Sequence, residues 1–315
     1  MRSLSRTFVM LIAIALVVGA CQAAASPTPT ATPTPAPPTA TPAPTPVPTP
    51  TPLPPPATPN PDDLLARIKA AGKIVVSTDP AYPPQSELMP DGTYQGFDID
   101  VATEIAKRLG VEVQWETPGW DTITAGSWGG HWDISVGSMT ITADRQKVID
   151  FSPPYYYTPA QMAVSTHSGI TEMDGLAGKA ICAGVSTTYA TWLSGGTLEL
   201  PGSPVTTTPP AGVTLVTLTT DRDCAEAWKS GRFDFDGWLS SSTTVDDAIK
   251  DGLPLVTVGA PVFYEPLAVA VDRSGPPHAD FMVELNTIVL QMHADGTLSG
   301  FSTKWFGIDL TEKTF

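Results

Sequence analysis

Arg145 closes the stretch Gly137-Ser-Met-Thr-Ile-Thr-Ala-Asp-Arg145, which follows an apolar strand and runs on to Asp150-Phe-Ser-Pro-Pro-Tyr155. A guanidinium offers a planar fork of donors that fits a carboxylate in two parallel hydrogen bonds. Ser138 and Thr140 add hydroxyl donors around the same anion, and Gly137 leaves main-chain N–H groups open. The cluster reads as a receptor for a small carboxylate. The plainer alternative is an arginine in a surface ion pair, with Asp144 either orienting backbone or pairing with it. Tyr82 and Trp120 follow strand ends, beside Pro83-Pro84 and Asp121, a placement that favours a cleft; their alternative is an ordinary place in the core. His131, His167, His278 and His293 are scattered without metal-ligand spacing, so neither a metal nor a cofactor is expected.

The elements that position these residues follow from periodicity. Asp62 to Ala71 reads as a helix stopped by Gly72, and Lys73 to Thr78 as a buried strand. Gly96-Phe-Asp-Ile-Asp-Val101 opens a helix with Asp98 placed to cap it, and Val101, Ile105 and Leu109 share one face. Asp98 and Asp100 are expected as cap and surface residues. Val111 to Trp115 and Trp132 to Val136 are further strands. After Thr158 a second unit begins: a strand Lys179–Val185, then Ser186-Thr-Thr188 capping a helix from Tyr189. A surface insertion is expected over Leu193–Val213, then a strand Val213–Leu218, a helix Asp221–Ser230 and a strand Phe233–Leu239. Val262 to Val271 returns toward the first unit, followed by a helix Ala279–Gln291 and a final helix near the end. Alternating strands and helices predict an α/β body with a largely parallel sheet. Ligands of such sheets sit beyond the carboxyl ends of the strands, where Thr78–Tyr82 and Gly137–Thr140 both fall.

The chain has 315 residues and a formal charge of -15, from 17 basic and 32 acidic residues. That balance excludes a nucleic-acid binder, which needs a basic footprint. Residues 1–20 read as an export signal: Arg2 and Arg6, then an apolar run from Phe8 to Val18 too short to span a bilayer. Val18-Gly19-Ala20-Cys21 resembles a bacterial lipobox, which implies lipidation of Cys21 and anchoring to a membrane. A plain cleavage site with an incidental cysteine is the alternative. Residues 21–60 are almost wholly Pro, Thr, Ala and Ser, a disordered linker or stalk that reaches roughly 120 Å when extended. Sugar on its threonines is left open. The folded body from Pro61 holds about 255 residues, room for one large or two modest domains. Cys182 and Cys224 form an even pair in an oxidising compartment, which favours a disulfide; two buried free thiols are the alternative.

Gly96-Phe-Asp-Ile-Asp100, Met139-Thr-Ile-Thr-Ala-Asp-Arg145, Phe151-Ser-x-Pro-Tyr155, Gly231-Arg-x-Asp234 and the terminal Asp295-Gly-Thr together resemble the extracytoplasmic solute-binding protein family 3. The likeness runs from about Leu64 to the C-terminus. It implies a two-lobed, type II periplasmic-binding-protein-like fold hinged by two crossover strands, with lobe one at 61–157 plus 265–315 and lobe two at 158–264. It implies a polar amino acid or related carboxylate as ligand, an ABC transporter permease as partner, and a monomer outside the cytoplasm. By position, Arg145 matches the arginine that grips the ligand's carboxylate, with Gly137, Ser138 and Thr140 completing that grip. Tyr82 and Trp120 match the aromatic pair around the ligand side chain. Asp79 matches a position that meets the side-chain head in binders of basic amino acids, and Thr187 and Thr188 match donors from the second lobe. Two departures stand out. Counting from Gly231, the family's ammonium-binding carboxylate falls on Leu239, so that Asp236 or Glu265 substitutes for it or the ligand lacks an ordinary amino-acid backbone. The usual aromatic after Tyr-x-Pro is replaced by Gln85.

Other functions on this fold are an enzyme acting on a small carboxylate, like the family's dehydratases, and a ligand-sensing domain. An enzyme would need a positioned acid or base, with Asp79, Asp236 and Glu265 as candidates, and no nucleophile–base pair is marked. A lytic transglycosylase would need a second catalytic domain, which the chain is not expected to have. The expectation is binding without catalysis.

Overall fold

A computed structural model describes residues 60–313. The export signal, Cys21 and the linker up to residue 59 lie outside the described residues. Helix α1 (Leu64–Ala71) is capped by Asp63, whose carboxylate accepts the Leu65 N–H at 2.9 Å, and Gly72 ends it in the left-handed region at φ 68°. Strand β1 (Lys73–Ser77) follows, then a small sheet of β2 (Ala81–Tyr82), β3 (Ser86–Leu88) and β4 (Tyr94–Gln95). Next come α2 (Phe97–Leu109), β5 (Glu112–Glu116), α3 (Trp120–Thr124), β6 (Ile134–Thr140), β7 (Ile149–Phe151) and the ten-residue β8 (Tyr156–Ser165). Gly96, not Asp98, occupies the cap position of α2; Asp98 lies in its first turn, and its side chain goes elsewhere.

Beyond β8 the order is β9 (Ala180–Gly184), α4 (Thr188–Leu193), β10 (Thr214–Leu218), α5 (Asp223–Lys229), β11 (Gly237–Ser241), α6 (Ser242–Lys250) and β12 (Leu255–Thr257). Strand β13 (Phe263–Asp272) then leads to α7 (Ala279–Ala294) and α8 (Thr297–Phe306). Two boundaries differ from the sequence reading. Helix α5 starts at Asp223, which leaves Asp221 in the preceding loop, and β11 starts four residues later than expected. Residues 194–213 form no regular element, yet they are not loose surface chain. Leu200 is buried, Ser203 Oγ donates to the Tyr264 carbonyl at 2.6 Å, and the Thr207 hydroxyl donates to the Val262 carbonyl.

The main sheet runs β10-β9-β11-β8-β13-β6-β1-β5, with β12 on β8 and β7 on β13. Strand β1 is parallel to β5 and β6, and β9 is parallel to β10 and β11. The joint between these halves is antiparallel: β8 and β13 pair with each other, β8 with β11, and β13 with β6. The expected parallel sheet therefore holds within each half, where helices cover apolar strands, and fails at the joint. The first half packs Ile74, Val76, Ile105, Val136 and Leu285 together. The second has one cluster around Ile181 and Leu239 and another around Trp228 and Trp238. Within that last cluster a disulfide joins Cys182 to Cys224 with a Cα separation of 5.9 Å, tying β9 to α5. The free-thiol alternative is excluded. No helix among the described residues is long and apolar enough to cross a membrane.

Candidate functional site

Strand β6 is buried along its length and delivers Gly137, Ser138 and Thr140 to the edge of a cavity. Ser138 adopts a left-handed φ of 54°, uncommon outside glycine. That backbone turns its hydroxyl inward, where it donates to Asp98 Oδ2 at 2.7 Å and lies 2.5 Å from the Tyr156 hydroxyl. Its N–H donates to the Tyr155 hydroxyl at 3.0 Å, and Tyr155 donates in turn to Asp98 Oδ1 at 2.7 Å. Asp98 is fully buried, not the surface residue that the sequence suggested, and burial pushes its pKa up to about 7. Both donors of Ser138 therefore brace the wall from behind.

Arg145 reaches across the cavity. Its Nη1 donates to the Thr140 carbonyl at 2.9 Å, and its Nη2 donates to the Ser186 carbonyl at 3.0 Å, in the loop before α4. The guanidinium lies 5.6 Å from the centre of the Trp120 ring, within cation–π range. Burial lowers its pKa to about 10, against the opposing pull of Glu265. The Trp120 indole N–H is buried without a hydrogen-bond partner, an uncommon state for such a donor.

The facing wall comes from the loops after β9 and β10. Thr187 caps α4, accepting the Ala190 N–H at 3.1 Å and donating to the Gly184 carbonyl at 2.7 Å. Glu265, on β13 and 1% exposed, gathers hydroxyls from both sides. Thr140 donates to it at 2.7 Å and Tyr189 at 2.6 Å, with the Thr188 hydroxyl as a third donor. Its pKa is raised by burial and partly restored by these donors and by Arg145. Asp221 is held by the Gly184 N–H at 2.8 Å and by Ser240 Oγ at 2.6 Å, and burial pushes it up to about 7. Asp79 accepts the Ala81 N–H at 2.8 Å, and burial raises it as well.

Tyr82 and Gln85 connect the walls beside the cavity. The Tyr82 hydroxyl donates to Ser241 Oγ at 3.0 Å. The Gln85 amide donates to Thr243 Oγ1 at 2.6 Å and to Ser241 Oγ at 3.2 Å, and accepts from Thr244 Oγ1 at 3.2 Å. All of Gln85 is buried. The residue that departs from the family pattern thus pins the small β2–β4 sheet to the start of α6.

Arg145, Thr140, Ser138, Gly137, Tyr82, Trp120, Asp79, Thr187 and Thr188 all line this one cavity. Asp236 lies apart from it, at the start of β11, with its carboxylate 3.7 Å from Lys179 Nζ. Leu239 is buried in the core of the second half and offers the cavity nothing. Tyr189 and Asp221 line the cavity and were not anticipated. One signal pointed to Asp221: Thr219-Thr220-Asp221 follows the end of β10 just as Thr78-Asp79 follows β1. No group of three His, Cys, Asp or Glu among the described residues could hold a metal.

A profile of the bacterial extracellular solute-binding proteins, family 3, matches residues 74–308. The chain belongs to this family. The L-cystine-binding protein TcyJ of Escherichia coli (strain K12) is 29% identical over 253 residues, covering 80% of this chain and 89% of its own. An L-arginine-binding protein of Pseudomonas aeruginosa is 28% identical over 251 residues, covering 76% and 91%. The crystal structure of AncCDT-1, an ancestral amino acid-binding protein described as a precursor of cyclohexadienyl dehydratase, aligns with a TM-score of 0.65 and 28% identity, covering 77% of this chain and 99% of that one. Family membership and fold make the protein an extracytoplasmic solute-binding protein of the two-lobed type II architecture.

Proposed function

We propose that this protein captures a free amino acid outside the cytoplasm and delivers it to an ABC importer. In this reading the lobes comprise 61–157 plus 265–315 and 158–264, and the cavity lies between them. Residues 1–20 are the export signal, a lipidated Cys21 anchors the protein to the membrane, and the Pro/Thr linker lets a monomeric body reach the permease. The observation that carries the reading is Arg145, half-buried over Trp120 with its fork spanning both walls. Two of its five donors go to main-chain carbonyls, and the remaining donors suit a ligand carboxylate in the two-pronged manner of arginine.

Charge favours a cationic ligand. Asp79, Asp221 and Glu265 line the cavity against the single cation Arg145, and buried like charges repel unless neutralised. An amino acid with a basic side chain, its head toward Asp79, offsets that excess, and an L-arginine-binding relative supports the direction. Neither histidine nor cysteine lines the cavity, and Glu265 has its oxygens engaged by three hydroxyls. We therefore read the site as one that binds without turnover. A thermal-shift series on the purified protein, with the common amino acids and simple carboxylates, tests this. A rise in melting temperature with basic amino acids is expected, and no response to any amino acid would sink the reading.

A further inference from the structure

The family's ammonium-binding carboxylate, counted onto Leu239, is missing from this chain, and the carboxylate at Asp236 faces Lys179 instead. An ammonium enclosed without a counter-charge would cost several kcal/mol, so an amino acid could not be held that way. The second wall supplies a carboxylate from a different element. Asp221 follows β10, lines the cavity and is 4% exposed. Its Oδ1 accepts the Gly184 N–H and its Oδ2 accepts Ser240 Oγ. Those two bonds fix the plane of the carboxylate and leave lone pairs over, and no Lys, Arg or His among the described residues forms an ion pair with it. Ser240 is the neighbour of Leu239 on β11, so the strand spends its hydroxyl on bracing an acid that it does not itself carry. Gly184 makes room: a Cβ there would stand 3.0 Å from Asp221 Oδ1.

We propose that Asp221, oriented by Ser240 and Gly184, receives the α-ammonium of the bound amino acid. The acid has moved from the strand to the neighbouring loop, opposite the wall that carries Arg145. This inference rests on the amino-acid reading above and adds to it the residue that tells an amino acid from its des-amino analogue. Asp221 is the specificity-determining group and Ser240 a positioning residue.

Calorimetry with matched pairs tests it: L-arginine with 5-guanidinopentanoate, L-lysine with 6-aminohexanoate, and L-alanine with propionate. Asp221→Asn keeps an acceptor for Gly184 and a donor for Ser240, so the fold should survive, which melting checks. Asp221→Asn is expected to weaken the amino acid of a pair by roughly 10- to 100-fold, the range for a hydrogen bond to a charged group, with the des-amino partner unchanged within about twofold. Ser240→Ala should narrow the ratio in the same direction by less. An equal loss for both members of a pair, or no loss, overturns the assignment of Asp221 and leaves the amino-acid reading standing. If the unaltered protein binds no amino acid in any pair, both fall together.

Discussion

The two walls of the cavity are built on different principles. The wall of β6 and Arg145 carries the positive charge and is braced from within its own half, through Ser138, Tyr155 and Asp98. The facing wall carries Asp221 and is braced by a strand serine, a backbone N–H and a disulfide. Glu265 is shared, taking hydroxyls from both. On the proposed assignment of Arg145 and Asp221, a zwitterion would meet its two counter-charges on opposite walls, so neither wall alone would hold it tightly. Binding and closure would then be one event, because only a closed state brings both charges to the same molecule.

The largest effect should come from unfastening the second wall. Cys182 and Cys224 are 42 residues apart, and closing such a loop stabilises by about 4 kcal/mol on a chain-entropy estimate. Melting with and without reductant should show a clear drop on reduction; an unchanged melting temperature would mean that β9 and α5 hold without the link. Next comes the charge of the first wall. Arg145→Ala should lower affinity by about 1.5–3 kcal/mol or more, the range for hydrogen bonds to charged groups. Calorimetry giving the same affinity would remove Arg145 from the site.

A smaller loss is expected from the connection between the walls. Gln85→Ala removes side-chain hydrogen bonds to Ser241, Thr243 and Thr244, but these hydroxyls still pair with one another, so the net cost is about 0.5–1.5 kcal/mol. The ligand-free variant should open, with a larger radius of gyration in X-ray scattering; identical curves would show that closure does not depend on Gln85. The mildest test concerns protons. Asp98 has its pKa raised by burial from 3.8 to about 7, so the folded protein holds a proton that the unfolded chain releases. Its contribution to stability is present below pH 3.8 and is lost as pH rises toward about 7. Asp98→Asn should flatten the fall in melting temperature across that window, and an unaltered slope would assign the proton to the opposite wall.

Much of the first wall was legible in the sequence. Arg145 sits in a local run of hydroxyl and small residues after an apolar strand, and such a signal needs no knowledge of distant contacts. The α/β class was legible for the same reason, since strand and helix periods are local. What bound the pieces together was not. Asp98 looks like a helix-opening acid, because its partners Ser138 and Tyr155 are 40 and 57 residues away. Asp221 was absorbed into a helix that starts at Asp223, and a shift of two residues there hid a cavity acid as a surface one. The late start of β11 had a similar effect, placing Ser240 and Ser241 in the strand after the sequence reading had ended it. Gln85 looked like the loss of an aromatic contact, and its role depends on an α6 that periodicity did not reveal.

The Asp63 carboxylate serves two helices at once, since besides capping α1 it accepts the N–H groups of Asp280 and Phe281, each at 3.0 Å, at the start of α7. The chain therefore enters the body already stitched to its C-terminal region. Trimming the chain as far as Asp63 would remove the cap of both helices together, so a shortened version should begin ahead of that point.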